Sequence, residues 1–289
     1  MNTNHRFHSH AAMLAVLAFC AAPAMAAQSS AYAVSADLST DGSSHVQLAA
    51  QLLTSGATAL GQSYDKPLSA TLLSKTVRLV PSQLRGPMLT VVAQKVATDA
   101  AGSNGVDTLN TSGTSGAAAG MVALTLFPPL PILPPTPVPG PVSPITDDAS
   151  SASITALPPL GRSALNVQFS KLKASATYDQ IFPRPARRNG STSFAKLTLS
   201  GPLIGSKALS FSGDIQPNTV VVNTPTVKIT LNAQTISQQP VCPPNELCPL
   251  YRVLETVETK AVLIELTNAS VLGHQVSGEI VIGEAEAGQ

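Results

Sequence analysis

The chain has 289 residues, of which 44% are hydrophobic, 11% charged and 4% aromatic, with no tryptophan and a formal net charge of +1. All 16 acidic residues and all but one of the 17 basic residues follow residue 26, so the remainder is formally neutral. Soluble domains ordinarily carry about 25% charged residues; a sparse, balanced chain has no long-range field to steer it to nucleic acid or anionic lipid, and without tryptophan its core must come from Val, Leu, Ile and Ala.

Arg6 is the only Lys or Arg in the first 26 residues. An uncharged apolar run, Ala11 to Ala22, follows it. Pro23-Ala24-Met25-Ala26 then places small residues one and three positions before a cut between Ala26 and Ala27. This is the order of a secretory signal peptide, and the run is shorter than the about 20 residues that span a bilayer. Phe19 before Cys20 argues against lipid attachment, which needs a small residue there. The expected product starts at Ala27 and is secreted, to the periplasm or beyond.

Residues 27–126 are rich in Ala, Ser, Thr and Leu. Tyr32, Val34, Ala36 and Leu38 alternate with Ala33, Ser35, Asp37 and Ser39, as in a half-buried strand. Val46–Leu60 and Met88–Ala97 are too densely apolar for clean alternation and would also suit a helix; both are read as strand. Thr98–Gly120, full of Gly, Ser, Asn and Thr, reads as a mobile loop. Residues 127–145 hold nine prolines. Proline lacks the N–H and fixes φ, which excludes helix and central strand and favours a polyproline II linker or long loop. Such a segment can lie on a domain surface or dock in a partner's aromatic groove.

Residues 146–289 return to period two. Lys196 to Gly201 alternates and stops at glycine; Leu209, Phe211 and Gly213 alternate with serines. Val227, Ile229, Leu231 and Ala233 oppose Lys228, Thr230, Asn232 and Gln234. Val262, Ile264, Leu266, Ile280 and Ile282 continue the pattern, with turn residues between the runs. The expected fold is all-β: an antiparallel β-sandwich-like domain with a long Pro-rich loop or linker, residues 27–289 forming one composite domain. Cys242 and Cys248, five residues apart in a Pro-containing loop, are expected to form a disulfide in an oxidising compartment, stabilising by about 2 kcal/mol. A metal site wants more Cys or His nearby, and a redox centre Cys-x-x-Cys.

Ser30 to Ser35, Thr192 to Gly201, Val227 to Gln234, Ala261 to Asn268 and Gly278 to Ala287 together resemble the choice-of-anchor P family of bacterial secreted or surface proteins. The resemblance implies a β domain outside the cytoplasm and carries no catalytic residues. The chain closes at Gln289 without a sortase motif, terminal apolar helix or basic tail, so no membrane anchor is expected in the mature chain.

Residues that could carry chemistry are scattered. His45 and His274 are the only histidines after residue 26, and no Gly-x-Ser-x-Gly accompanies them; both read as surface turn residues. Asp147 and Asp148 supply only a start on the six to eight oxygens that calcium takes. Glu255, Glu258, Glu279, Glu284 and Glu286 read as a solvated sheet face, although paired carboxylates could serve glycoside hydrolysis. Arg184, Arg187 and Arg188 read as a solvated loop. Phosphate-binding glycine loops are absent, and no cofactor or metal is implied. The expected function is non-catalytic, structural or directed at an unknown extracellular or cell-surface partner; an extracellular hydrolase and a ligand- or calcium-binding module are the alternatives.

Overall fold

A computed structural model describes residues 26–42, 44–80, 86–125, 163–181, 184–240 and 253–289. Among these residues thirteen strands run β1 (Ala27–Thr40), β2 (Ser44–Gln51), β3 (Thr54–Thr58), β4 (Gln62–Arg78), β5 (Met88–Asn104), β6 (Thr108–Thr125), β7 (Ser163–Ile181), β8 (Arg187–Ser200), β9 (Leu209–Ile215), β10 (Thr219–Asn223), β11 (Val227–Pro240), β12 (Val253–Val271) and β13 (His274–Gly288), with one 3-10 turn at Pro202–Ile204. They form two antiparallel sheets. One has six strands in the order β4-β5-β6-β7-β8-β9; the other has seven in the order β10-β11-β12-β13-β1-β2, with β3 also paired to β1. The sheets stack face to face: β1 lies over β5 and β6, β13 over β6 and β7, and β12 over β7 and β8. The all-β, sandwich-like expectation holds.

Strands from both sides of the proline segment share both sheets. β6 pairs with β7 across it, Thr125 opposite Ser163, and β1 pairs with β13, Gln28 opposite Gly288. The segment itself, 127–145, lies outside the described residues.

Each strand of the sandwich centre changes face once. In β5 the inward residues are Leu89, Val91 and Ala93, then Val96, Thr98 and Ala100; in β7 they are Leu165, Val167 and Phe169, then Leu172, Ala174 and Ala176. Two consecutive residues therefore face outward at the switch, Gln94-Lys95 in β5 and Ser170-Lys171 in β7. In the other sheet two consecutive residues face inward, Ala33-Val34 in β1, Ala261-Val262 in β12 and Ile282-Gly283 in β13. The ladders keep one register through this level, because neighbouring strands switch together. Alternate strands make the switch with a left-handed residue: Lys95 (φ 48°), Lys171 (φ 46°), Asn232 (φ 50°) and Gly283 (φ 66°). That conformation costs a non-glycine residue about 1–2 kcal/mol, so packing must hold it. The inward pair of one sheet fills the level where the other sheet withdraws: a Cβ on Gly283 would come within 2.8 Å of Leu172 Cδ2, and only a void of about 10 Å³ remains there among Ala33, Val34, Phe169, Leu172 and Ile282.

The switch divides the interior. On one side the core is aliphatic, with Leu38, Leu89, Leu124, Leu165, Leu197, Leu199, Ile229, Leu231 and Ile264 all under 2% exposed; each such side chain contributes about 1.5–3 kcal/mol. On the other side small and hydroxyl residues meet. Ser115 Oγ donates to the Tyr32 carbonyl at 2.9 Å, Thr111 Oγ1 to the Gly288 carbonyl at 3.1 Å, and Ser29 Oγ to the Ala101 carbonyl at 3.2 Å, each from one sheet to the other.

Three expectations need correction here. Thr98–Gly120 is not a mobile loop: it forms the end of β5 and most of β6. Its small residues let the sheets close in, and at Gly113 a Cβ would lie 2.4 Å from the Ser30 carbonyl oxygen and 2.6 Å from that of Glu286. Tyr32 does not share a face with Val34, because β1 switches between them. Gln234 points inward beside Leu231 and donates through Nε2 to the Gly190 carbonyl at 2.7 Å. The dense stretch Met88–Ala97 is strand, as read, and Val46–Leu60 is mostly so, divided into β2 and β3 by a turn at Leu52-Leu53 and ending in a turn after Thr58.

Gly113→Ala is expected to destabilise by about 1–3 kcal/mol, the cost of overpacking. Urea denaturation of the variant against the parent chain reads this as a lower midpoint at unchanged slope.

Candidate functional site

The residues with the most perturbed ionisation lie on the outer face of the seven-stranded sheet, just past the switch. Alternation puts Ser30 and Tyr32 of β1, Glu284 and Glu286 of β13, and Glu258 and Lys260 of β12 on that face. Register aligns them in two cross-strand rows: Tyr32–Glu284–Lys260 and Ser30–Glu286–Glu258. Directly opposed side chains on one face are within reach of each other.

Tyr32 Oη donates to Glu284 Oε2, and Ser35 Oγ donates to Tyr32 Oη at 3.2 Å. Ser30 Oγ donates to Glu286 Oε2 at 3.1 Å. Lys260 Nζ lies 3.1 Å from Glu258 Oε1 and 3.9 Å from Glu284 Oε2. Two carboxyl groups thus share one ammonium. Glu284 is 8% exposed although it faces away from the other sheet. Its burial, and next the charge of Glu258, push its carboxyl up to about 8. Burial likewise raises Glu286 and, together with Glu284, raises the Tyr32 phenol. Burial would lower Lys260, but Glu258, then Glu284 and Glu279, outweigh it and raise the ammonium. The reading of Glu284 and Glu286 as a solvated face is therefore corrected: Glu284 holds a proton at neutral pH, where it can share it with Tyr32 but has little access to solvent.

The remaining sequence candidates are spread over the molecule. Glu279 sits further along β13, opposite Asp37 of β1 and Glu265 of β12. His45 Nε2 lies 3.0 Å from Asp37 Oδ1, and Lys228 Nζ 2.7 Å from Glu265 Oε2. His274 follows the two-residue turn Leu272-Gly273, both at positive φ; its Nδ1 is 2.7 Å from Asp41 Oδ2. The Gln275 N–H donates to the other Asp41 oxygen at 2.9 Å, and hydrogen bonding from His274 and then Gln275 lowers the Asp41 carboxyl. These contacts bind the β1–β2 turn to the β12–β13 turn.

The arginine group is a solvated loop only in part: Arg184 is exposed ahead of β8, but Arg188 is not solvated loop. Arg187 and Arg188 open β8, and Arg188 Nη2 lies 2.7 Å from both oxygens of Glu255 on β12, joining the two sheets. Gln238 Nε2 donates to the same carboxylate at 2.7 Å. Sequence gave no sign of this pairing, because β8 and β12 meet only through sheet stacking. Cys242, Cys248, Asp147 and Asp148 lie outside the described residues. Ala26 is exposed, and Ala27 opens β1, fully buried and paired with Thr58. Among the described residues no group of three or more His, Cys, Asp or Glu is arranged to hold a metal ion, and no helix is long and apolar enough to cross a membrane.

No family model matches the chain, and no curated protein is significantly similar to it.

Glu284 binds its proton more tightly folded than unfolded. Its contribution is therefore fully present below the unfolded value near 4.5 and is lost as pH rises toward about 8. Glu284→Gln keeps an acceptor for Tyr32 and removes the titration. The variant is expected to lose much of the decline in stability between pH 5 and 8 and to be the more stable protein at pH 8.5, read from urea midpoints across that range. Arg188→Ala should cost about 2 kcal/mol, because it strands Glu255 between the sheets, and should lower Tm by several degrees in calorimetry.

Proposed function

We propose that this chain is a secreted, non-catalytic β-sandwich that acts by presenting rigid sheet faces to an extracellular or cell-surface partner. The observation that carries the reading is how the chemically capable side chains are used. His45, His274, Arg188, Glu255 and Lys228 each join one strand or turn to another, and Glu284 is closed off under Tyr32. A signal peptide cut between Ala26 and Ala27 agrees with β1 opening at Ala27. The resemblance to the choice-of-anchor P family points the same way, and export would let Cys242 and Cys248 close the disulfide expected from their spacing.

The competing reading is an extracellular hydrolase with Glu284 as general acid, favoured by its raised carboxyl. Its low exposure weighs against it, since a general acid must reach the atom it protonates.

Two measurements on the full chain, expressed with its leader, test the proposal. Fractionation should find the protein outside the cytoplasm, beginning at Ala27. The purified mature protein should bind saturably to cells of the producing strain and release no product from their surface polymers. Cytoplasmic retention, or product release that Glu284→Gln abolishes, overturns it.

A further inference from the structure

The neutral chain hides a segregation of charge. The outer face of the seven-stranded sheet carries Asp37, Glu258, Glu265, Glu279, Glu284 and Glu286, with Lys228 and Lys260 paired among them. The outer face of the six-stranded sheet carries Lys95, Lys171, Lys173 and Lys196, all at or beside the level where the strands change face. Lys95 is the outward switch residue of β5 and Lys171 that of β7; Lys196 belongs to the same outward pair in β8, opposite Ser170. Lys173 is one outward position further along β7, opposite Ser193.

None of the four lysines joins an ion pair among the described residues. The acids of this face stand around the lysines rather than among them: Asp99 lies on β5 opposite Thr114, its carboxyl raised by burial and next by Asp65, Asp179 lies further along β7 opposite Asn110, and Asp214 lies opposite Ser193. Between the lysines runs β6, whose outward residues here are Thr114, Gly116 and Ala118. A strand of small residues flanked by lysine-bearing strands makes a trough. Its floor is a shallow depression of about 420 Å³ lined by Ala97, Thr114, Gly116, Lys171, Lys173 and Ser193. The flanking strands, each one ladder spacing from β6, stand about 10 Å apart, which admits one extended polymer chain.

We propose that this trough binds a linear anionic polysaccharide, its carboxylate or sulfate groups met by Lys95 on one side and by Lys171 and Lys173 on the other, with Lys196 extending the track. Charge and hydroxyls are what the site offers. Tyr64, Phe169, Tyr178 and Phe194 all turn to the opposite side of this sheet, against the other one. Among the described residues that leaves no ring on this face on which a base could stack and none for a neutral sugar, which disfavours single-stranded nucleic acid and uncharged glycans. Unpaired lysines on an open face act as point charges, so binding must weaken with salt. The inference rests on the partner-binding reading above and names the partner's chemistry.

The test uses the mature full-length protein on immobilised heparin (sulfated) and polygalacturonate (carboxylated), with dextran and a single-stranded DNA oligonucleotide alongside. One or both acidic polysaccharides should bind, with at least tenfold loss between 50 and 500 mM NaCl, as for a polymer held at several charges. The variant K95Q/K171Q/K173Q, checked for an unchanged circular dichroism spectrum, should bind at least tenfold more weakly; K228Q, on the opposite face, should match the parent. On the unaltered protein, the bound polysaccharide should shield Lys171 and Lys173 from acetylation, mapped by mass spectrometry, so the idea stays testable if the triple variant folds poorly. No binding, equal binding to dextran, DNA bound as tightly as the acidic polysaccharides, or unshielded lysines would overturn it. If the triple variant still binds producing cells like the parent, the trough is ruled out while the partner-binding reading stands.

Discussion

The change of facing shared by neighbouring strands is the constraint on which the rest of this sandwich depends. A strand that shifts its inward residues by one position alone would send its apolar set to solvent. Here neighbours shift at the same level, so the ladders stay paired and each strand keeps an inward face along its whole length. Left-handed Lys95, Lys171 and Asn232 are strained for this, and Gly283 takes the same conformation at no steric cost. Complementary switching in the facing sheet leaves only a small void between Phe169 and Ile282.

The same constraint sorts the interior and the surface. Beyond the switch the sheets come close enough for Ser29, Thr111 and Ser115 to hydrogen-bond to backbone across the interface. Burial of polar groups there is tolerated because they find partners. On the outside, the switch doubles the outward residues of the six-stranded sheet, where lysines fall. In the other sheet it lets Tyr32 and Ser35 point the same way and close over Glu284. One backbone device thus places both the buried carboxyl cluster and the exposed lysine trough.

Strand identity was legible wherever alternation ran clear of the switch: Val34 to Leu38, Val262 to Leu266, and Ile280 to Ile282 all face inward as read. Across the switch, alternation misleads. Ala33 fits either face, so the run from Tyr32 to Leu38 shows no break, and Asn232 hides the same slip before Gln234. Thr98–Gly120 was misread because glycine and serine ordinarily weaken strands; the reason for them, a second backbone at van der Waals distance from Gly113, exists only in three dimensions. The cluster was equally hidden. Glu284 and Glu286 were visible as neighbours on one face, but Tyr32, which covers Glu284, is 252 residues away in the chain, and Lys260 arrives from a third strand.

That separation bears on how the molecule comes together in time. The six-stranded sheet is a plain meander in which each strand pairs with the one before it, so its hairpins can form progressively. The seven-stranded sheet is split: β1 to β3 come first and β10 to β13 last, and the β1–β13 ladder joins residues as far apart as Gln28 and Gly288. Contacts of such range are slow because loop entropy must be overcome before they form. Until β13 is available, β1 offers one unpaired edge along its full length. The first strand of the chain is therefore the last to be covered, and that interval is when a chaperone, or an unwanted second copy, would find an open strand to pair with.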